Sequence, residues 1–287
     1  MTYIVHGATG AQGSPVLSAL QTAGKHPVAA VRSTHNVPDG VASVAVDLAD
    51  ADSLAAAYRH ADGVFVHLPM GAPEQLGVYA DAIAAAIAEA KPGRVVISTS
   101  GGVVDEPTSP IWAAPDSPLA TLIRKTEETG VPTAVVTTRI YLENLLLPVL
   151  AGPAREEGVL RYPLGESFPV SWISHQDVAD VVVRLFGDLT VTGTVGVGHL
   201  PGLTGPDLAA AFTAHLGRPV RFEAITPEAF GELLTPLFGP EASAPVAGLY
   251  QALSATSEHV ISESTSAQKV LGLSPRSVTD WLSQVAA

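Results

Sequence analysis

Three glycines at intervals of three, Gly7, Gly10 and Gly13, stand between an apolar run, Tyr3 to His6, and an amphipathic stretch from Ala11 to Ala23. Glycine lets a backbone turn tightly and approach a ligand closely, and the first N–H groups of a helix carry partial positive charge. A strand, a glycine turn and a helix in that order therefore suit a pyrophosphate. A tight strand-to-helix connection with no ligand uses the same glycines, but the position at the start of a βα unit favours the phosphate reading. The turn reads Gly7-Ala8-Thr9-Gly10-Ala11-Gln12-Gly13, so Thr9, Ala11 and Gln12 join the glycines as candidate contacts of a dinucleotide.

Further candidates follow the same logic at the ends of later strands. Arg32 closes the second one, where an acidic residue would bind the ribose hydroxyls of NAD; an arginine there pairs with a 2′-phosphate, which favours NADP(H) over NAD(H). A solvated surface arginine is the other reading. Asp47-Leu48 ends the third strand, where the pair can hold an adenine ring or Asp47 can cap a helix. His67-Leu68-Pro69-Met70 ends the fourth, beside the crevice in which open α/β sheets bind ligands. Ser100 follows the fifth strand, placed either to orient a carbonyl or to serve the turn. His175 reads as an acid or as a residue opening a helix. Trp112, Trp172 and Phe238 offer aromatic walls for a substrate, and each equally suits core packing.

These residues need a scaffold, and the first 140 residues supply one in short apolar runs alternating with longer helical patterns. Strands are predicted at Tyr3 to His6, Pro27 to Arg32, Ser43 to Asp47, Gly63 to Leu68, Arg94 to Thr99 and Thr133 to Thr138. Helices are predicted at Ala11 to Ala23, Asp52 to His60, Glu74 to Ala90 and Ser117 to Thr129. Most of the strands are continuous apolar runs, as in a parallel sheet covered by helices on two sides. The expected fold is α/β, a doubly wound parallel Rossmann sheet with a smaller, mostly helical C-terminal lobe. Residues 1–150 form the dinucleotide domain and 174–200 return to it, while 151–173 and 201–287 form the smaller lobe. Within that lobe, helices are expected at Tyr141 to Glu157 and Thr204 to Leu216 and beyond Pro227; His175 to Phe186 is the helix that returns to the sheet.

Taken together, three segments resemble the NmrA-like family of atypical short-chain dehydrogenases, which holds quinone oxidoreductases, triphenylmethane reductases and inactive redox-sensing regulators. The glycine turn, with its G-x-x-G-x-x-G spacing, is the first. Thr138-Arg139-Ile140-Tyr141-Leu142-Glu143-Asn144-Leu145-Leu146 is similar to the family's R-P-x-x-F-M-E-N-L segment, with Ile140 where glycine is frequent and no proline after Arg139. Ile173-Ser174-His175-Gln176-Asp177-Val178-Ala179 is similar to I-x-x-x-D-V-A. The resemblance runs along nearly the whole chain. It implies that Tyr141 and Asn144 lie beside the nicotinamide and that His67 to Met70 flank the cofactor. Asp177 reads as a helix cap.

Ordinary short-chain dehydrogenases transfer protons with Tyr-x-x-x-Lys, and none of the six tyrosines here has a lysine four residues later. Lys125, on its predicted helix, reads as a solvated residue. The expectation is an NADPH-dependent reductase that passes hydride to a small or medium hydrophobic carbonyl, quinone or conjugated compound, with Tyr141 and Ser100 as catalytic candidates. A protein that binds NADP(H) and signals to a partner without turnover is the alternative.

Composition narrows the remaining classes. At 287 residues, 47% hydrophobic and 15% charged, the chain can bury a large core. It has no cysteine, hence no disulfide or thiolate chemistry. Its formal charge of −13 and four scattered lysines oppose nucleic-acid binding. The nine histidines show no metal-ligand spacing, and G-x-S-x-G is absent. With no basic leader and no long apolar run, the expectation is a cytoplasmic protein, monomer or homodimer, with no membrane partner.

Overall fold

The computed structural model describes residues 1–38 and 40–285, so the last two positions of the expected lobe lie outside the described residues. The N-terminal half alternates as its pattern requires: β1 (Thr2–His6), α1 (Gly13–Thr22), β2 (His26–Val31), β3 (Ala42–Ala45), α2 (Ala51–Tyr58), β4 (Gly63–His67), α3 (Pro73–Ala90), β5 (Val95–Ser98), α4 (Pro118–Glu128) and β6 (Thr133–Thr137). Five of these ten elements are strands buried on both faces, and strands of that kind pair in parallel when helices cross over between them.

The second half continues with β7 (Ile140–Tyr141), α5 (Pro148–Glu156), β8 (Val159–Tyr162), β9 (Trp172–Ile173), α6 (His175–Gly187) and β10 (Gly193–Gly196). It ends with α7 (Gly205–Leu216), β11 (Arg221–Ala224), α8 (Pro227–Phe238), α9 (Pro240–Leu253), α10 (Ala267–Val270) and α11 (Val278–Val285). The main sheet is seven-stranded and parallel in the order β3-β2-β1-β4-β5-β6-β10. Its strand order reverses between β1 and β4, which places the crevice at the carboxyl ends of those two strands.

Three apolar clusters organise the molecule. One packs α1 and α6 against one face of the sheet through Val16, Leu20, Val178 and Val182. A second packs α2, α3 and α4 on the other face through Leu54, Ile83, Ile87 and Leu122. The third is a separate core that joins α5, β8, α7, β11, α8, α9 and α11, centred on Tyr162, Trp172, Phe230 and Tyr250. This lobe is helical except for two parallel strand pairs, β8 with β11 and β7 with β9.

The expected helix from Tyr141 to Glu157 is broken. Ile140 and Tyr141 pair as a strand with Trp172 and Ile173, Leu142–Leu146 is a 3-10 turn, and α5 starts only at Pro148. The cause is local: Pro148 disfavours a helical conformation at Leu147, which is extended, and then serves as a first-turn residue. Asp177 is not the cap of α6 either. Ser174 holds that place, accepting the Asp177 N–H at 3.1 Å, and the Asp177 carboxylate instead takes the Arg276 guanidinium at 2.5 Å, fastening the segment before α11.

Candidate active site

The turn after β1 is built by contacts that exclude side chains. Gly7 adopts φ +59°, and a Cβ there would lie 2.3 Å from His67 Nε2. A Cβ on Gly13 would lie 2.2 Å from the Gly7 carbonyl oxygen and 2.4 Å from that of His6, so α1 can seat against β1 only with glycine at its start. Gly10 donates its N–H to Gly7 at 2.8 Å, closing the loop. The result is a backbone cradle at the positive end of a buried helix, the geometry a pyrophosphate requires.

Two cavities open from this cradle and share His67, Pro69 and Met70. The first, about 380 Å³, runs over Gly7, Thr9 and Gly10 to Arg32 and Leu48. The second, about 530 Å³, reaches from Ala11, Gln12 and Leu68 to Ser100, Tyr141 and Asn144. Much of its wall is apolar: Pro73, Leu76, Ala113, Pro118 and Leu119. Of the expected cofactor residues, all but Asp47 and Gly13 line one or other of these two adjoining cavities, and Gly13 lies beneath them.

A polar bracket crosses the second cavity. Gln12 Oε1 accepts hydrogen bonds from Ser98 Oγ at 2.9 Å and from the Tyr141 hydroxyl at 3.3 Å, and its amide Nε2 donates to Ser100 Oγ at 2.9 Å. Ser100 sits at φ +55°, a conformation that costs a non-glycine residue about 1–2 kcal/mol. Burial pushes the Tyr141 phenol above its ordinary range, and its hydroxyl also accepts from Thr138 Oγ1 at 3.2 Å. Behind this bracket the ring of His175 stacks on Tyr141, centroids 4.3 Å apart, and its Nδ1 lies 3.3 Å from Glu143 Oε2.

Burial also lowers the histidines beneath the crevice. His6 is depressed to about 3 by burial, with His67 adding a little, and its Nε2 shares a hydrogen bond of 2.8 Å with the Tyr58 hydroxyl. His67 is lowered by burial too, although its Nδ1 contact with the Leu68 carbonyl opposes the shift; its Nε2 is buried without a hydrogen-bond partner and faces Gly7.

Four expected site residues lie elsewhere. Asp47 lines neither cavity; its carboxylate accepts from Ala49 N at 2.9 Å within a turn, and Asp50 caps α2. Trp172 is 1% exposed inside the second core, where its ring meets Tyr162 edge-on. Phe238 ends α8 on the surface, 53% exposed, outside both cavities. Trp112 bridges to Val103 and leaves its neighbour Ala113 to line the wall. Aromatic character alone does not distinguish a core from a pocket. The sequence reading passed over Ser98 and Glu143. Ser98 is the last residue of a strand whose end meets the crevice, a positional signal that was available; Glu143 becomes visible only once His175, 32 positions on, folds against it.

Among the described residues no group of histidines and carboxylates could hold a metal ion, and no helix is long and apolar enough to cross a membrane.

Fold and crevice define an α/β protein of the doubly wound Rossmann class. The chain belongs to the NmrA-like family, whose model matches residues 1–282. It is 35% identical over 255 residues to an NAD(P)H azoreductase of Xenophilus azovorans, a match covering 84% of this chain and 83% of that one. Its fold is similar to that of Citrobacter sp. triphenylmethane reductase complexed with NADP(H), with TM-score 0.81, 18% identity and coverage of 98% and 100% of the two chains. An Escherichia coli NADPH-dependent quinone oxidoreductase complexed with NADPH is similar at TM-score 0.78 and 18% identity over the full length of both.

Proposed function

We propose that this chain is an NAD(P)H-dependent reductase that passes hydride to an electron-poor conjugated acceptor of small or medium size, with NADPH preferred. The observation that carries the reading is the pair of cavities meeting at His67, Pro69 and Met70: one over a glycine cradle and Arg32, the other apolar with a polar bracket. The 35% identical azoreductase and the two reductases of similar fold support it.

The residues present fit a dinucleotide. Gly7 and Gly13 leave a cradle that any Cβ would fill, and Arg32, exposed at the end of β2, offers a fork of donors to a 2′-phosphate. When bound, a reduced nicotinamide supplies hydride. Gln12, Ser98, Ser100 and Tyr141 form a fixed set of donors and acceptors able to orient either the nicotinamide amide or a polar group of the acceptor. Leu68, Leu76 and Leu119 form an apolar wall that favours flat apolar molecules. Met70, 93% exposed at the junction of the two cavities, gains a partner when either is filled.

Titration with NADPH and NADH, followed by cofactor oxidation against azo dyes, quinones and triarylmethyl cations, tests the proposal. Tight NADPH binding with turnover of at least one class is expected. Tight binding with no turnover on any acceptor would replace it with a sensor.

A further inference from the structure

On the footing of that reductase reading, we propose that His175, positioned by Glu143, is the general acid of the substrate cavity, giving the proton that the acceptor takes up as hydride arrives. His175 opens α6 and lines the apolar cavity with its side chain 14% exposed. Its ring stacks on Tyr141 at 19° between planes, and its Nδ1 lies at ion-pairing distance, 3.3 Å, from Glu143 Oε2, an oxygen with no hydrogen-bond partner of its own. Glu143 is fixed in turn: Oε1 accepts from the His175 backbone N–H at 3.0 Å and from the Trp281 indole of α11 at 3.3 Å. A carboxylate that holds one imidazole nitrogen leaves the other, Nε2, to meet a ligand, and it stabilises the imidazolium.

The charges around the ring favour this role on balance. Burial works against an ionised Glu143, but hydrogen bonds and charge from His175 outweigh it, so its carboxyl lies below the usual range. The positive end of α6 opposes a cationic ring, and Glu143 supplies the counter-charge. The other titratable groups facing His175 are Tyr141, under the ring, and His67, across the cavity. On its own helix Asp177 is engaged by Arg276. Tyr141 is a poorer acid for the same step, because burial raises it and Gln12 already takes its proton in a hydrogen bond.

An azo or quinone acceptor gains hydride, two electrons and one hydrogen, on one atom of its π system. The electron pair displaced onto the far nitrogen or oxygen takes the proton from His175 Nε2, and the ring becomes neutral until solvent reprotonates it. The cofactor is the species oxidised. A triarylmethyl cation, by contrast, is neutralised by hydride alone and takes no proton.

That difference provides the test. Wild type, H175Q and E143Q are assayed with an azo dye, a quinone and a triarylmethyl cation from about pH 5 to 9. H175Q should lose about a hundredfold on the azo dye and quinone, and at least about tenfold less than that on the cation. E143Q should show the same acceptor-selective loss in smaller measure. Nitrogen-15 spectra of histidine-labelled protein give a reading independent of turnover: the neutral His175 ring should carry its proton on Nδ1, the nitrogen beside Glu143. Equal losses on all acceptors, or a neutral His175 ring with its proton on Nε2, would overturn the proposal and leave the reductase reading intact. A wild type that reduces none of the acceptors overturns both.

Discussion

Gln12 and Tyr141, 129 positions apart in the chain, meet across the crevice, the tyrosine hydroxyl donating to the Gln12 amide oxygen at 3.3 Å. That contact ties the start of α1 to the strand after β6, and Ser98 shares the same acceptor. Gln12→Ala deprives two part-buried hydroxyls of their acceptor. It should cost about 1–3 kcal/mol in urea unfolding. Gln12→Glu, which keeps the acceptor, should cost less.

Arg32→Ala is the test of cofactor choice. Removing one charge-assisted fork should weaken NADPH binding by about tenfold to a hundredfold and leave NADH within about twofold. The NADPH preference should also decline with added salt, since Arg32 is exposed. Equal weakening of both cofactors in calorimetric titration would contradict the assignment.

Arg139 anchors the wall of the larger, apolar cavity from behind. Its side chain is 1% exposed and pairs at 3.1 Å with Asp105, itself 9% exposed, in the loop that leads to Ala113; its Nε donates to the Val260 carbonyl at 3.2 Å. Breaking a buried pair from one side strands the other charge, so Asp105→Ala should cost about 3–5 kcal/mol. The double variant Asp105→Ala/Arg139→Leu should recover part of that loss, a non-additivity that equilibrium unfolding measures directly.

Acid should destabilise the protein through two histidines. His6 and His259 are both lowered to about 3, His6 by burial and His259 by burial with the Arg139 charge added. An unfolded histidine titrates near 6.5, so from about pH 6.5 down to about 3 the unfolded chain binds more protons than the folded one. Stability is complete above that window and falls within it by up to about 1.4 kcal/mol per pH unit for each group. His6→Gln should flatten the slope of unfolding free energy against pH; an unchanged slope would show that His6 protonates without unfolding.

Much of the fold could be read from the chain because its signals are local. Six β-rich runs, most of them apolar on both faces and separated by helices with Gly24 and Pro92-Gly93 as stops, dictate a parallel sheet, and the observed strands agree with the expected ones to within two residues. The glycine turn was legible for the same reason. What escaped were relations between distant segments. The core role of Trp172 depends on Tyr162 and the rest of the lobe, and the surface position of Phe238 depends on where α8 ends. Tyr141 to Glu157 has helical composition, but the pairing of Tyr141 with Ile173 and the backbone restriction before Pro148 prevail over it. Glu143 carries no motif of its own; its meaning comes from His175 and Trp281.

Transfer of deuterium from nicotinamide-deuterated NADPH to a triarylmethyl cation, read by mass spectrometry of the colourless product, tests the central claim most directly. A product one mass unit heavier, formed at matched rates with cofactor oxidation and abolished in Gly13→Val, is expected. Bound NADPH that is never consumed, or product formed without the label, would contradict hydride transfer in this crevice.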